Sequence, residues 1–315
     1  MVDARPDLSI VTSLYLSAPY LREFSRRARE AAAAVTLSYE IILVNDGSPD
    51  DSLATALQLR REDPRIRIID LSRNFGHHKA LMTGMARAAG DLVFLVDSDL
   101  EEDPGWLSAF YEEMRRTGAD VIYGVQGTRK GRPIERATGM VFFRLFNRML
   151  THPIPPNIVT ARLMSRRYVD ALVQYEDREV FLAGLWMLAG FDQQPVTVVK
   201  HSRGKSSYSL RRRVSVFVNA LTSLSNRPLV YIFYLGATIM LLSFGAAALL
   251  VVQYLRGGIG QPGWASLMVS IWLLGGLTLF SLGVIGVYLA KIFTETKRRP
   301  YTVIRTEYGG PQTNA

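Results

Sequence analysis

The sequence predicts an α/β fold, a doubly wound sheet followed by amphipathic helices at a membrane surface and a hairpin of two membrane-spanning helices. Three observations predict it. Short apolar runs alternate with helical stretches from Leu8 to Tyr123. One run, Leu92 to Val96, ends in a cluster of acids formed by Asp97, Asp99, Glu101, Glu102 and Asp103. Downstream, Pro228 to Leu255 and Gly257 to Ala290 carry no charge, and each exceeds the roughly 20 apolar residues that cross a bilayer.

In chain order, Leu8 to Leu16 is apolar with β-branched members and reads as a strand, and Pro19 to Val35 reads as a helix with Ala-rich and Arg/Glu-rich faces. Glu40 to Val44 is a second strand. Asn45-Asp-Gly-Ser-Pro-Asp-Asp51 is a turn leading into a helix from Ser52 to Arg61. A third strand, Ile66 to Leu71, leads through Ser72-Arg-Asn-Phe-Gly-His-His78 to a helix from Lys79 to Ala88. After Leu92 to Val96 come a helix from Pro104 to Arg116 and a strand from Asp120 to Tyr123. Such alternation builds a sheet through right-handed crossovers.

Ligands of these sheets bind outside the carboxyl ends of the strands. There, Asp97-Ser-Asp99 sets two hard oxygen donors close together, which suits Mg²⁺ or Mn²⁺ shared with substrate phosphates. Asp103-Pro104 equally reads as a helix cap with proline in the first turn, and the other acids as solvated first-turn residues. The residues alone leave both readings open.

The 315 residues, 48% hydrophobic, suffice for a substantial core. The absence of cysteine excludes disulfides and cysteine-ligated zinc and fits a reducing compartment. A net charge of +9 implies an anionic partner. Met1-Val-Asp-Ala-Arg-Pro6 has no basic segment followed by an apolar core, so no secretory signal is expected.

The expected spans are Leu229 to Val252 and Ala265 to Leu289, with Gly257 to Gly263 as the turn between them. Arg211, Arg212, Arg213 and Arg227 precede the first span, Lys291, Lys297, Arg298 and Arg299 follow the second, and the loop holds only Arg256. By the positive-inside rule both ends face the cytoplasm. Two basic stretches prepare the anchor. Gly127 to Leu150 interleaves Arg129, Lys130, Arg132, Arg136, Arg144 and Arg148 with Phe142, Phe143, Leu145 and Phe146. Behind Arg211 to Arg213, Val214, Phe217, Val218, Leu221 and Leu224 fall at helical spacing. Beside two spans, such surfaces point to lipid headgroups rather than nucleic acid. The expected organisation is a cytoplasmic domain over 1–210, an amphipathic juxtamembrane helix over 211–227, two spans within 228–290 and a cytoplasmic tail over 291–315. A Gly-rich stretch, Gly275 to Gly283, could pack helices within the hairpin or between subunits of a homo-oligomer.

Three motifs then fall in one order: Val44-Asn-Asp-Gly-Ser48, Leu71-Ser-Arg-Asn-Phe-Gly76, and Gly90-Asp91 through Asp97-Ser-Asp-Leu-Glu101. Together they resemble glycosyltransferase family 2, in the branch similar to dolichyl-phosphate mannose synthase and bacterial polyprenyl-phosphate glycosyltransferases. The likeness runs from about Leu8 to Pro300. It implies a GT-A-type, Rossmann-like fold, a nucleotide-sugar donor, a divalent cation (Mg²⁺ or Mn²⁺), inversion at the anomeric carbon and a membrane acceptor such as undecaprenyl phosphate. Carried over, Asp46 contacts the nucleobase, Asp97 sits by the donor ribose or metal, Asp99 and Glu101 hold the ion, and Arg73 and Lys79 lie beside the nucleotide. Arg129 and Arg136 match the acceptor-phosphate region. Arg203-Gly-Lys-Ser-Ser-Tyr-Ser209 resembles a loop that closes over the diphosphate through Arg203, Ser206 and Tyr208. His77 and His78 have no second cluster to complete a metal site and are read as supporting residues.

Two departures bear on function. Where the family's first strand ends in Pro-x-Tyr-Asn-Glu, this chain reads Ser13-Leu-Tyr-Leu-Ser17 and keeps only Tyr15. The family's Asp-Phe-Arg-Leu appears as Thr160-Ala-Arg-Leu163, without the acid sometimes proposed as catalytic. A hydroxyl acceptor benefits from a base, whereas a lipid phosphate is already anionic, so the loss favours polyprenyl phosphate. Transfer to a hydroxyl of a lipid-linked glycan, with Asp99, Glu101 or Glu102 as base, is the alternative, and a non-catalytic nucleotide-sugar-binding scaffold is a third.

Overall fold

The computed structural model describes residues 5–127, 147–148, 150, 153–200, 222, 225, 227–256 and 263–309. The chain divides into two compact units. The first is an eight-stranded sheet in the order β7-β5-β6-β4-β1-β2-β3-β8, with helices on both faces.

Its strands are β1 (Leu8–Leu14), β2 (Tyr39–Asn45), β3 (Ile66–Leu71), β4 (Leu92–Leu95), β5 (Val121–Gln126), β6 (Ile158–Ser165), β7 (Gln193–Val198) and β8 (Ile304–Tyr308). The helices of this unit are α1 (Ala18–Val35), α2 (Ser52–Glu62), α3 (His77–Arg87), α4 (Trp106–Thr117), α5 (Arg166–Leu172) and α6 (Leu182–Leu188). Alternate residues of each strand feed opposite faces. Ile10, Ile41 and Leu43 pack with Phe24 and Ala28 of α1, Leu59 of α2 and Phe110 of α4. Val11, Ile42 and Val44 pack with Leu81 and Met85 of α3, Val169 of α5 and Leu185 of α6. Covered on both sides, β1 and β2 are buried along their whole length, which is why they read as continuous apolar runs rather than alternating ones. Each such Leu, Ile or Phe contributes about 1.5–3 kcal/mol of transfer free energy.

The crossovers from β1 to β4 are parallel, as expected. The sheet as a whole is mixed, because β6 runs antiparallel to β4 and β5, and β8 antiparallel to β3. The expected first strand ends two residues early. Leu16 has a positive φ of 55°, a left-handed conformation that cannot continue a strand. Residues 304–308, which the sequence reading places in the cytoplasmic tail, form edge strand β8. Its alternation of Arg305 and Glu307 with neutral residues is that of a charged edge, which hides the strand signal.

The second unit holds two long helices, α7 (Arg227–Leu255) and α8 (Trp264–Thr296). They cover the residues of the two expected spans, 229–252 and 265–289. Among the described residues one segment, Ser270–Thr296, is long and apolar enough to cross a membrane. Trp272, Leu273, Leu279 and Phe280 on it, and Leu241 and Leu242 on α7, are exposed. The expected amphipathic helices over 127–150 and 211–227 lie largely outside the described residues.

Helix α3 approaches the sheet through Gly84, where a Cβ would meet Val11 Cγ1 at 2.5 Å and Val44 Cγ2 at 2.9 Å. Gly84→Ala is expected to destabilise the sheet unit by about 1–3 kcal/mol through overpacking. Thermal unfolding of the full chain in detergent reads this as a lowered midpoint, and an unchanged midpoint contradicts the packing described.

Candidate active site

Strand order reverses between β1 and β4, and such a switch point opens a crevice at the carboxyl ends of the strands. Here the ends are laced together by short side chains. Ser17 Oγ lies 2.9 Å from Ser98 Oγ, and Ser98 Oγ donates to the carbonyl of Ser13 at 2.9 Å. The Leu16 amide donates to Ser48 Oγ at 2.8 Å and the Ser17 amide to Ser52 Oγ at 3.0 Å. Leu16 and Leu100, which flank the crevice, both hold positive φ, 55° and 60°. Left-handed leucines cost about 1–2 kcal/mol each and persist where surrounding structure enforces them, commonly at functional sites.

On the β2 and β3 side, Asp46 is buried, and its carboxylate accepts the amides of Phe75 (2.7 Å) and Gly76 (3.0 Å). Burial pushes this carboxyl up, against the two amides that favour its ionised form. Asp46 thus ties the loop after β3 to the end of β2. In that loop Arg73 lies over the Phe75 ring at 3.9 Å and donates to the Asn74 carbonyl at 2.9 Å. Lys79 stands in the first turn of α3. Tyr15 is half exposed beyond β1.

On the β4 side the acids converge on two cations. His77 bridges the crevice, with Nδ1 2.8 Å from Ser13 Oγ and Nε2 3.3 Å from Asp97 Oδ1. Thr160 Oγ1 donates to Asp97 Oδ2 at 3.1 Å. Burial acts to raise the Asp97 carboxyl, but His77 holds it below its ordinary value. Burial acts to lower His77, and Asp97 reverses that, raising the imidazole above 6.5. Lys200 Nζ lies 3.3 Å from Glu101 Oε2 and 3.5 Å from Glu102 Oε1. Glu102 is fully buried, accepts the Thr160 amide at 3.0 Å, and is pushed up to about 7 by burial and then by the charge of Asp97. Asp99 Oδ1 accepts the Glu101 amide at 2.9 Å, and burial, followed by repulsion from Asp97 and Glu101, raises its carboxyl.

Among the described residues no three acidic or imidazole groups form a metal cage. Asp99 and Glu101 are nonetheless hard oxygen donors crowded by like charge. They could supply part of a shell whose remaining positions fall to diphosphate oxygens and water, the usual arrangement for Mg²⁺.

The structure thus brings Tyr15, Asp46, Arg73, Lys79, Asp97, Asp99 and Glu101 to one end of the sheet. Arg129, Arg136, Arg203, Ser206 and Tyr208 lie outside the described residues. Lys200 carried no motif that could reveal it. His77 bridges two strand ends, a role that needs the fold to be seen. Arg162, the residue after Ala161 on β6, is fully buried over the Trp186 ring and pushed down to about 9 by burial.

A doubly wound sheet with acids at the switch point has the layout of an α/β protein that binds its ligand there, and sequence comparison specifies the family. The profile of the family "Glycosyl transferase family 2" matches residues 9–173, and the chain belongs to that family. A relative described as "Putative glycosyltransferases" from Mycobacterium tuberculosis is 50% identical over 97% of this chain and 90% of its own length. A bactoprenol glucosyl transferase of Shigella phage SfV is 31% identical over 95% of this chain and 98% of its own length. Among solved structures, a mannosyltransferase from Pyrobaculum calidifontis in complex with GDP-Man and Mn²⁺ matches with a TM-score of 0.49 at 17% identity, over 94% of this chain and 88% of that one. The protein is a glycosyltransferase.

Because the folded state raises the pKa of His77, its contribution to stability is fully present below about 6.5 and is lost as pH rises through the folded value. NMR titration of His77 is expected to give a midpoint above 6.5 that falls in Asp97→Asn. Identical midpoints in the two proteins contradict the pairing.

Proposed function

We propose that the protein transfers a sugar, with inversion and with the help of Mg²⁺ or Mn²⁺, from a nucleotide sugar to a polyprenyl phosphate at the cytoplasmic face of a membrane. One observation carries the choice of acceptor. Thr160 occupies the position where the family often places an acid, and its hydroxyl donates to Asp97. Of the two carboxylates bound to Thr160, Asp97 is paired with His77, and Glu102, which accepts the Thr160 amide, has no exposed surface, so an incoming hydroxyl cannot reach Glu102 to lose a proton. A phosphate acceptor brings its own negative charge. The bactoprenol glucosyl transferase likeness supports the same acceptor class.

The steps follow from the residues. The donor lies across the crevice between Tyr15, the Asp46 turn and the loop carrying Arg73, with Lys79 adding positive charge; Arg203, Ser206 and Tyr208, by resemblance alone, would add charge and donors to the diphosphate. Asp99 and Glu101 would hold the divalent ion, which would supply positive charge to the diphosphate. Asp97 is kept ionised by His77 and faces the donor ribose. Arg129 and Arg136, assigned by resemblance alone, would hold the acceptor phosphate. Its oxygen attacks the anomeric carbon as the bond to the diphosphate breaks, and the electron pair leaves with the nucleoside diphosphate. Stabilising that departing charge is the main catalytic task.

The membrane assignment gains support from connectivity. The chain leaves the sheet after β7 and returns to the same sheet as β8, so any crossings between them are even in number. Helices α7 and α8 provide two, and arginine and lysine at both outer ends favour a cytoplasmic domain.

With polyprenyl phosphate as acceptor, Asp99→Asn is expected to lower the transfer rate about 100-fold or more, and chelation of divalent ions to abolish it. Activity that survives chelation rules out the metal role, and transfer to a glycan primer's hydroxyl in place of the lipid phosphate overturns the acceptor. For topology, the cysteine-free chain allows single labels. Gly260→Cys should react with an impermeant thiol reagent in intact cells and Asp51→Cys only after permeabilisation; the reverse pattern contradicts the orientation.

A further inference from the structure

The tail that follows α8 returns to the sheet and grips both loops on the β2 and β3 side of the crevice. Arg305 Nη2 donates to the Ser72 carbonyl at 2.7 Å, and the Ser72 amide donates to the Val303 carbonyl at 2.9 Å. Ser72 begins the loop that ends at Gly76, where Asp46 is bound. Arg305 Nη1 also lies 3.3 Å from Asp70 Oδ2. Asp70 is 2% exposed, and its other oxygen accepts Asn45 Nδ2 at 2.7 Å. Asn45 Oδ1 in turn accepts the Ser48 amide at 3.3 Å, across the Asp46 turn.

An edge strand needs only backbone pairing to cover a sheet. Here the pairing shifts register between Asp70 and Leu71, an irregularity of the kind that re-aims side chains, and the tail's guanidinium reaches a carboxylate otherwise sealed in the sheet. Two more contacts fasten the strand to α3: Thr302 Oγ1 with Thr83 Oγ1 at 2.8 Å, and Arg87 with Glu307 at 2.8 Å. Helix α3 begins at His77. The family profile ends at residue 173, so this strap lies outside the matched stretch.

We propose that Arg305 is a positioning residue for the donor: through Asp70 and Asn45 on one side and Ser72 on the other, it sets the spacing of the two loops that receive the nucleotide. The proposal rests on reading those loops as the donor site. It makes the donor site complete only once the chain has passed through α7 and α8 and returned, which ties donor binding to the anchor.

The test uses the full chain in detergent, titrated calorimetrically with UDP, GDP and dTDP in turn. For the diphosphate that binds, Arg305→Ala is expected to weaken affinity about tenfold, the scale of coupling through such a chain of contacts, and to raise the donor KM while kcat stays within about twofold. Arg305→Lys should restore part of the affinity. Met114→Ala, which loosens the packing of α4 on the β5 and β6 half of the sheet, should leave it unchanged, separating positioning from general destabilisation. Unaltered affinity in Arg305→Ala, with binding lost in Asp46→Ala, overturns the strap while leaving the donor site in place. Unaltered affinity in Asp46→Ala, or no binding of any of the three by the wild-type chain, removes the donor-site reading and the proposal with it.

Discussion

Concentrated negative charge at the carboxyl end of β4 is the constraint on which the site depends. Asp97, Asp99, Glu101 and Glu102 follow a four-residue strand whose last three residues are buried, and such crowding in a partly desolvated place is unfavourable unless compensated. The compensation comes from elsewhere in the chain. His77, brought in at the start of α3, meets Asp97, and Lys200, just past β7, meets Glu101 and Glu102. The charge cluster therefore forms only when the crossover from β3 and the strand pairing of β5 with β7 are both in place.

The acids do not all serve one purpose. Glu102 is sealed beneath Thr160, where its carboxyl is pushed up to about 7 and it holds the start of the Thr160-Ala-Arg-Leu163 run in place. Asp103 caps its own turn by accepting the Gly105 amide at 2.9 Å. Asp97 and Asp99 remain at the crevice. The helix itself starts two residues later than the Asp103-Pro104 cap reading expects, at Trp106 after Gly105. The division among the acids also bears on the proposed chemistry: Glu102, on the Thr160 amide, is structural, in keeping with a site that stabilises a departing group rather than one that removes a proton from a nucleophile.

Much of this was legible in the sequence, and for identifiable reasons. Strands β1 to β4 and helices α1 to α4 announce themselves because the sheet is covered on both faces, which makes Leu8 to Leu14 and Tyr39 to Asn45 continuously apolar. The Asn45 to Ser48 turn and the Asp97-Ser-Asp99 pair are local motifs, readable without the fold. What was not legible is long-range. Strand β8 has the composition of a solvated tail and becomes a strand only because the edge of β3 is free to take it. Lys200 and Arg305 are single basic residues of the kind usually left in solvent, and only their distances to Glu101 and Asp70 distinguish them. The positive φ at Leu16 and Leu100 has no sequence signature at all.

The central claim is that the acceptor supplies the negative charge that a catalytic base would otherwise have to create. A paired assay decides it most directly: purified enzyme, one nucleotide sugar that it hydrolyses or transfers, and either undecaprenyl phosphate or the free alcohol undecaprenol, with products resolved by mass spectrometry. A glycosyl phosphodiester from the phosphate and no glycoside from the alcohol are expected. A glycoside formed from undecaprenol at a comparable rate would contradict it.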